Sequence, residues 1–393
     1  GRRARRGRRR AVGAAPPPAP ARPGSPADFE GKSSKTAVFG TVFELFPSNF
    51  VGAFRVGFSS ISMGGTHGSG GNVDRQALVK LLVRPGESDK QPCTKLSANK
   101  YIPIEVWDEL KNHEREFLRA YSAGAAAQQS VLVGRSAAMV WGLWTLPIDD
   151  APVSLANPGQ RPPSKNQWPQ GVEYLWMPLP GMDMQVFTPD GSDDTVRLTN
   201  RVRTAVDVAR LHGVRHGVVA MDSLFYRKNF DEQRQIRLEL EATIRRLERK
   251  KGIAHARKAL EWCSTLSESP YESLARVILR ELGVVAQEQM WIGRFVRPDL
   301  LWGQLVIEIN GDVKLADDPT GAALEQAERD SWIRKQLYET EHIRASKLLY
   351  DEAACVRSIV EAKKRSEVLG PPTVKATRNR PQFGVHWRAR RAG

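Results

Sequence analysis

The chain has 393 residues, 41% of them hydrophobic, enough for two or three domains with sizeable cores. Its formal charge of +15 would point to an anionic partner, but the excess sits at the ends. Residues 1–27 hold eight arginines and no acid, and 371–393 hold six basic residues and no acid, which leaves 28–370 at +1. Three widely spaced cysteines, with no CxxC pair or histidine cluster, argue against a zinc site or a disulfide framework and fit a reducing cytoplasm. No run of roughly 18 apolar residues is present to span a membrane, and Pro16–Pro18 with Pro20 interrupt the place of a signal peptide's apolar stretch.

Residues 1–35, rich in Arg, Ala, Pro and Gly, are expected to be a disordered tail. An arginine-rich arm for nucleic acid and the simple product of GC-rich coding DNA both fit it. Val38–Phe46 is apolar, and Gly64–Gly71 reads as a loop that lacks the spacing and the lysine of a phosphate cradle. A short helix is expected over Asp74–Leu82, capped by Asn72 or Asp74, and an amphipathic helix over Glu105–Ala120. Farther on, Ser136–Trp144 reads as helix and Val153–Leu155, Glu173–Met177 and Met184–Thr188 as strands. Thr204–Leu211 and Gly217–Phe225 read as helices. Residues 231–266 form a charged helical connector, broken at Lys250–Gly252, with i,i+4 pairs on a solvated face.

The C-terminal block, residues 267–366, is the most legible. Ser269 caps a helix over Pro270–Leu282 that stops at Gly283. Strands are expected over Val284–Gln289, Gly293–Asp299 and Gln304–Ile309, the last apolar enough to be central. A helix over Ala322–Tyr338, a strand over His342–Ala345 and a helix over Asp351–Ser366 complete an αβββαβ order. Residues 367–393 are expected to be a disordered basic tail.

Two acids stand out. Asp299 closes one expected strand and Glu308 lies near the end of the next, amid Leu305, Val306, Ile307 and Ile309. An inward carboxylate there would need a metal or a partner to stay ionised, and hard cations such as Mg²⁺ select such groups. Glu272 can add a third acid. Equally, Glu308 could face outward with Asp299 a turn residue, because spacing alone does not fix register. Arg203, Asp207 and Arg210 read as a buried ion-pair set on one helix. His212 and His216 read as surface residues. Trp141, Trp144, Trp291, Trp302 and Trp332 read as packing.

The run Glu268-Ser-Pro-Tyr-Glu272-Ser-Leu-Ala-Arg276, then Gln289, Arg297-Pro-Asp299-Leu-Leu-Trp302, Val306-Ile-Glu308-Ile-Asn310-Gly311-Asp-Val-Lys314, Glu328-Arg329 and Arg344 resembles domain-of-unknown-function family 559. That family is similar to Vsr-like endonucleases of the PD-(D/E)XK, restriction-endonuclease-like fold. The resemblance implies Mg²⁺ (or Mn²⁺) held by Glu272, Asp299 and Glu308, catalysis by Asp299, Glu308 and Lys314, and DNA contacts from Arg297, Arg329 and Arg344. One departure matters: Asn310 fills the slot that reads Asp in the family and Lys in the superfamily, and Lys314 stands as the substitute cation. A second resemblance covers Val131-Leu-Val-Gly-Arg135-Ser136 through Trp141-Gly-Leu, Leu198-Thr-Asn-Arg-Val-Arg203 through Arg210, and Asp222. These are similar to the AbiEi-type antitoxin region, which implies an α/β middle region over 111–230. A degenerate winged-helix-like region over 36–110 would precede it, with Lys100-Tyr101-Ile102-Pro103 as its last strand. The implied functions are a metal-dependent DNA endonuclease in repair or defence or, alternatively, a non-catalytic DNA-binding antitoxin or regulator with a cognate toxin as partner.

Overall fold

The computed structural model describes residues 74–190, 193–311 and 319–383. The expectations for residues 1–35, Val38–Phe46 and Gly64–Gly71, and the role given to Lys314, fall outside these described residues. The described part is mixed α/β. Helix α1 (Arg75–Lys80) is capped by Asp74, whose carboxylate accepts from the amides of Gln76 and Ala77. After α2 (Pro85–Ser88), strands β1 (Cys93–Lys95) and β2 (Tyr101–Pro103) pair antiparallel. The single helix expected over Glu105–Ala120 is two, α3 (Ile104–Glu109) and α4 (Asn112–Ala126). Leu110 is extended, with ψ 142°, and the Glu114 carboxylate takes the Lys111 amide at 2.8 Å, so the second helix nucleates its own start.

The middle region is built on a five-stranded mixed sheet. Its strands are β3 (Val131–Leu132), β4 (Val153–Ala156), β5 (Val172–Tyr174), β6 (Met184–Phe187) and β7 (Val196–Thr199), in the order β5-β4-β3-β7-β6. Two of these, β3 and β7, were not expected as strands; at two and four residues they are too short for alternation to show. Between β3 and β4 runs α5 (Gly134–Trp141). The chain continues as α6 (Arg201–His212), α7 (Val214–Phe225), α8 (Phe230–Arg246) and α9 (Ile253–Trp262). Gly217 lets α7 approach α6, since a Cβ there would stand 2.4 Å from that of Ala209. The expected break falls at Gly252 (φ +77°), where an added Cβ would meet the Arg210 carbonyl oxygen at 2.0 Å. Arg237 and Glu241 form an i,i+4 pair on the exposed side of α8.

The buried ion set on α6 is larger than the sequence implied. Arg203 is fully buried and donates to Asp207 at 2.7 Å and to Asp183 at 2.5 Å. Arg210 also pairs with Asp207, and Arg246 from α8 reaches Asp183 with both Nη atoms, at 2.6 and 2.7 Å. Asp183 and Arg246, sixty-three residues apart, carry no mark of this pairing in the sequence. His212 and His216 are half-buried rather than surface residues, with ring centroids 5.7 Å apart. Burial lowers both imidazoles, that of His216 to about 4.

The C-terminal region opens with α10 (Pro270–Glu281). The Ser269 hydroxyl accepts from the Glu272 amide at 3.2 Å, and Gly283 follows the helix at φ +80°. Next come β8 (Gln287–Glu288), β9 (Trp291–Ile292), β10 (Leu300–Trp302), β11 (Leu305–Asn310), α11 (Pro319–Lys335), β12 (Glu339–Arg344), α12 (Ala345–Tyr350), α13 (Glu352–Glu367) and β13 (Ala376–Thr377). The sheet order is β12-β11-β10-β8; β11 runs parallel to β12, and the other pairs are antiparallel. β11 is central and buried on both faces, as its apolar run predicts. Leu305, Ile307 and Ile309 pack with Leu274 and Ile278 of α10 and Ile359 of α13, whereas Val306 packs with Trp332 and Ile333 of α11.

Residues Gly293–Asp299 are not the strand expected. Gly293 takes φ +62° and reverses the chain, Ile292 and Val296 form a bridge, and Pro298 has no amide to give to a ladder. Asp299 therefore stands immediately before a strand, β10, rather than closing one. Beyond α13 the chain returns along this turn: β13 pairs antiparallel with β9, and Tyr338 Oη donates to the Val374 carbonyl at 2.9 Å. The middle and C-terminal regions share buried contacts. Arg276 of α10 donates to Asp222 of α7 at 2.5 Å, and Val219 and Leu146 pack among the α10 side chains.

Candidate functional site

The antiparallel register of β10 and β11 brings the two acids together. Leu300 lies opposite Ile307, so Asp299 lies opposite Glu308 on the same face of the sheet. The Ile309 amide donates to Asp299 Oδ2 at 2.7 Å, which fixes the aspartate across the pair. Both point to the face covered by α11, whose Arg329 donates to Glu308 Oε1 at 2.5 Å. Glu272 comes from the first turn of α10. Its Oε2 accepts from the Glu268 amide at 2.8 Å and from Gln289 Nε2 at 3.2 Å. Gln289 in turn donates its backbone amide to the Asp299 carbonyl at 3.2 Å, which links the two acidic loops.

Glu272 and Glu308 are both buried, at 8% and 9% exposure. Burial first, and the nearby Asp299 charge with it, raises the Glu272 carboxyl to about 7. Burial likewise raises Glu308 to about 7; Arg329 opposes the shift and Asp299 adds to it. Asp299 thus acts on the charge of both neighbours. Strand β12 adds a histidine that sequence spacing did not single out. His342 lies beside Glu308 in the parallel register, and its Nε2 is 2.9 Å from Asp330 of α11. The Asp330 hydrogen bond raises the His342 imidazole above its usual range. Its Nδ1 is 3.4 Å from the Asn310 amide nitrogen, so Asn310 faces an imidazole. No spacing rule links a helix aspartate to a histidine on the following strand, and only the packing of α11 on β12 unites them.

The remaining predicted residues fall farther out. Arg297 pairs with Glu268, and Arg344 ends β12 on the exposed surface. Burial and the nearby Asp299 charge thus disfavour the ionised forms of both Glu272 and Glu308, and only a cation or a hydrogen-bond donor would relieve that penalty. Among the described residues, no group of three or more His, Cys, Asp or Glu side chains is placed so that it could hold a metal ion. Each carboxylate is instead drawn to its own donor: Glu308 to Arg329, Asp299 to the Ile309 amide, and Glu272 to Gln289.

No helix among the described residues is long and apolar enough to cross a membrane. Comparison of the chain with protein-family models, curated proteins and solved structures gives no match.

Proposed function

We propose that residues 267–366 form a PD-(D/E)XK-type, restriction-endonuclease-like unit that hydrolyses phosphodiester bonds of DNA with Mg²⁺ or Mn²⁺, in repair or defence in the cytoplasm. The observation that carries this reading is the cross-strand pairing of Asp299 with Glu308, with Glu272 held beside Asp299 through Gln289. The order helix, three antiparallel strands, helix, parallel strand supports it too. Asp299 and Glu308 would hold the ion and Glu272 would adjoin it. When bound, the ion would supply Lewis-acid polarisation of the phosphate and an acidified water. Arg329, which donates to Glu308 beside the site, would place its guanidinium against the phosphate and offset developing charge. Lys314 is the second cation assigned to that task.

The test is incubation of the full chain with mismatched, nicked and intact DNA in Mg²⁺ or Mn²⁺. Loss of a metal-binding carboxylate exceeds the roughly 10–100-fold cost of disturbing a ligand's supporting partner. Asp299→Ala and Glu308→Ala are therefore expected to fall by more than about 100-fold. Equal rates in all three proteins would overturn the reading.

One observation favours a second reading, a non-catalytic AbiEi-like antitoxin or regulator that binds DNA and a cognate toxin. Asn310 carries no charge and is turned towards His342. A chain that binds DNA with a steep salt dependence but cleaves none of the substrates in either metal would support it.

A further inference from the structure

The hairpin that carries Asp299 at its foot has a different chemistry at its tip. Its foot is the Gln289–Asp299 hydrogen bond, and its tip is the turn Gly293–Phe295 above the Ile292–Val296 bridge. At the tip the Arg294 guanidinium lies 5.4 Å from the Phe295 ring centroid, and that of Arg297 lies 5.6 Å from Trp291. Arg380, more than eighty residues on, is delivered to the same place by β13. Its guanidinium lies 5.1 Å from Trp291 and 5.3 Å from Phe295, and its Nε donates to the Arg294 carbonyl at 2.9 Å.

Three guanidiniums are thus gathered around two rings. Glu268 neutralises Arg297, whereas Arg294 and Arg380 have no carboxylate within ion-pair distance among the described residues. The Arg294 Nε is buried and has no hydrogen-bond partner there either. Lys375 and Arg378 shortly precede Arg380 in the sequence and add charge of the same sign. An exposed cation–π contact contributes only about 0.5–1 kcal/mol. That is small compensation for crowding like charges, so the cluster is suited to an anionic, aromatic partner.

We propose that this tip binds a single-stranded stretch of nucleic acid. An unpaired base stacks on the Trp291 and arginine planes, and flanking phosphates pair with Arg294 and Arg380. Alternation of cations and π-faces is what sequence-tolerant single-strand binding requires, and arginine serves in both roles. The tip lies four to six residues from Asp299, about 13–20 Å at an extended rise. A strand held there would lead its backbone towards the acids. That last point rests on the function proposed above; the binding itself does not.

The experiment uses the full chain in EDTA, so that cleavage plays no part. Fluorescence anisotropy reads binding of a labelled single strand of about 15 nucleotides, of the matching blunt duplex, and of a duplex with an overhang. The single strand and the overhang are expected to bind at least about tenfold tighter than the blunt duplex. Arg294→Gln with Arg380→Gln should weaken single-strand binding about tenfold and reduce the salt slope by roughly 1.4, two contacts at ~0.7 each. Arg380→Lys, which keeps the charge but not the plane, should lie between, with an unchanged thermal melt in each variant confirming the fold. Equal or tighter duplex binding overturns the proposal and assigns the tip to duplex DNA. Unchanged single-strand affinity in the folded double variant overturns it as well. A chain that fails to cleave in Mg²⁺ overturns the nuclease reading alone, because the EDTA result stands apart from it.

Discussion

At the scale of single residues, Glu272 and Glu308 combine burial with proximity to a like charge. A carboxyl raised from 4.5 to about 7 takes up a proton in the folded state that the unfolded chain does not hold over that interval. Its contribution to stability therefore declines as pH rises from about 4.5 to 7, and the cost is complete above that range. Glu272→Gln removes the charge while keeping the shape. The melting temperature of the variant minus that of the parent should become more positive between pH 5 and pH 8, and millimolar Mg²⁺ at pH 8 should shrink the gap by stabilising the parent. A difference that is flat with pH would mean that Glu272 is solvated. Glu308 is legible in the sequence because a charge inside an apolar run is conspicuous, and Asp299 because it borders one. Whether they met was not legible, since one residue of slippage would have turned Asp299 and Glu308 to opposite faces. The Asp330–His342 contact was invisible for the same reason, being a product of tertiary packing.

At the scale of elements, α10 was the most readable and the most consequential. Ser269, Pro270 and Gly283 mark its ends by chemistry that acts within four residues, so no tertiary information is needed. The Ser269 cap also sets the turn from which Glu272 extends. Ser269→Ala should cost about 1 kcal/mol in urea unfolding. Because the cap bonds to the Glu272 amide itself, the same change should also weaken divalent-ion affinity, measured by calorimetry. A cost within error would mean that the Glu268 amide bond to Glu272 suffices to hold the turn. The hairpin after α10 is not legible as one because Phe295 and Val296, aromatic and β-branched, favour an extended chain. Gly293 at positive φ and Pro298, which lacks an amide, set the true boundary. Strands β3 and β7 show the opposite failure: they are held by their sheet neighbours and have too little sequence to advertise it.

At the scale of the whole molecule, the middle and C-terminal regions are fastened through Arg276 and Asp222. The Asp222 side chain is fully buried, and burial has already raised its carboxyl to about 6. Arg276→Leu would leave that charge without its partner, at a cost of about 3–5 kcal/mol in denaturant unfolding, whereas Arg276→Met with Asp222→Asn should recover most of it. Equal losses in the single and double variants would show that shape, not charge, governs the contact. This pairing spans 54 residues of sequence, and neither partner signals it, because an arginine on an amphipathic helix ordinarily reads as solvated.

The return of β13 along β9 has a practical corollary for whoever handles the protein. Trimming the chain at the end of α13, where a sequence-based boundary would invite the cut, strips Val374 and Ala376 from the apolar cluster of Ile292, Val296 and Tyr338. Shortened versions should therefore run past Arg380, and an affinity handle belongs at the opposite terminus. Otherwise a loss of solubility or nucleic-acid uptake would be charged to the wrong residues.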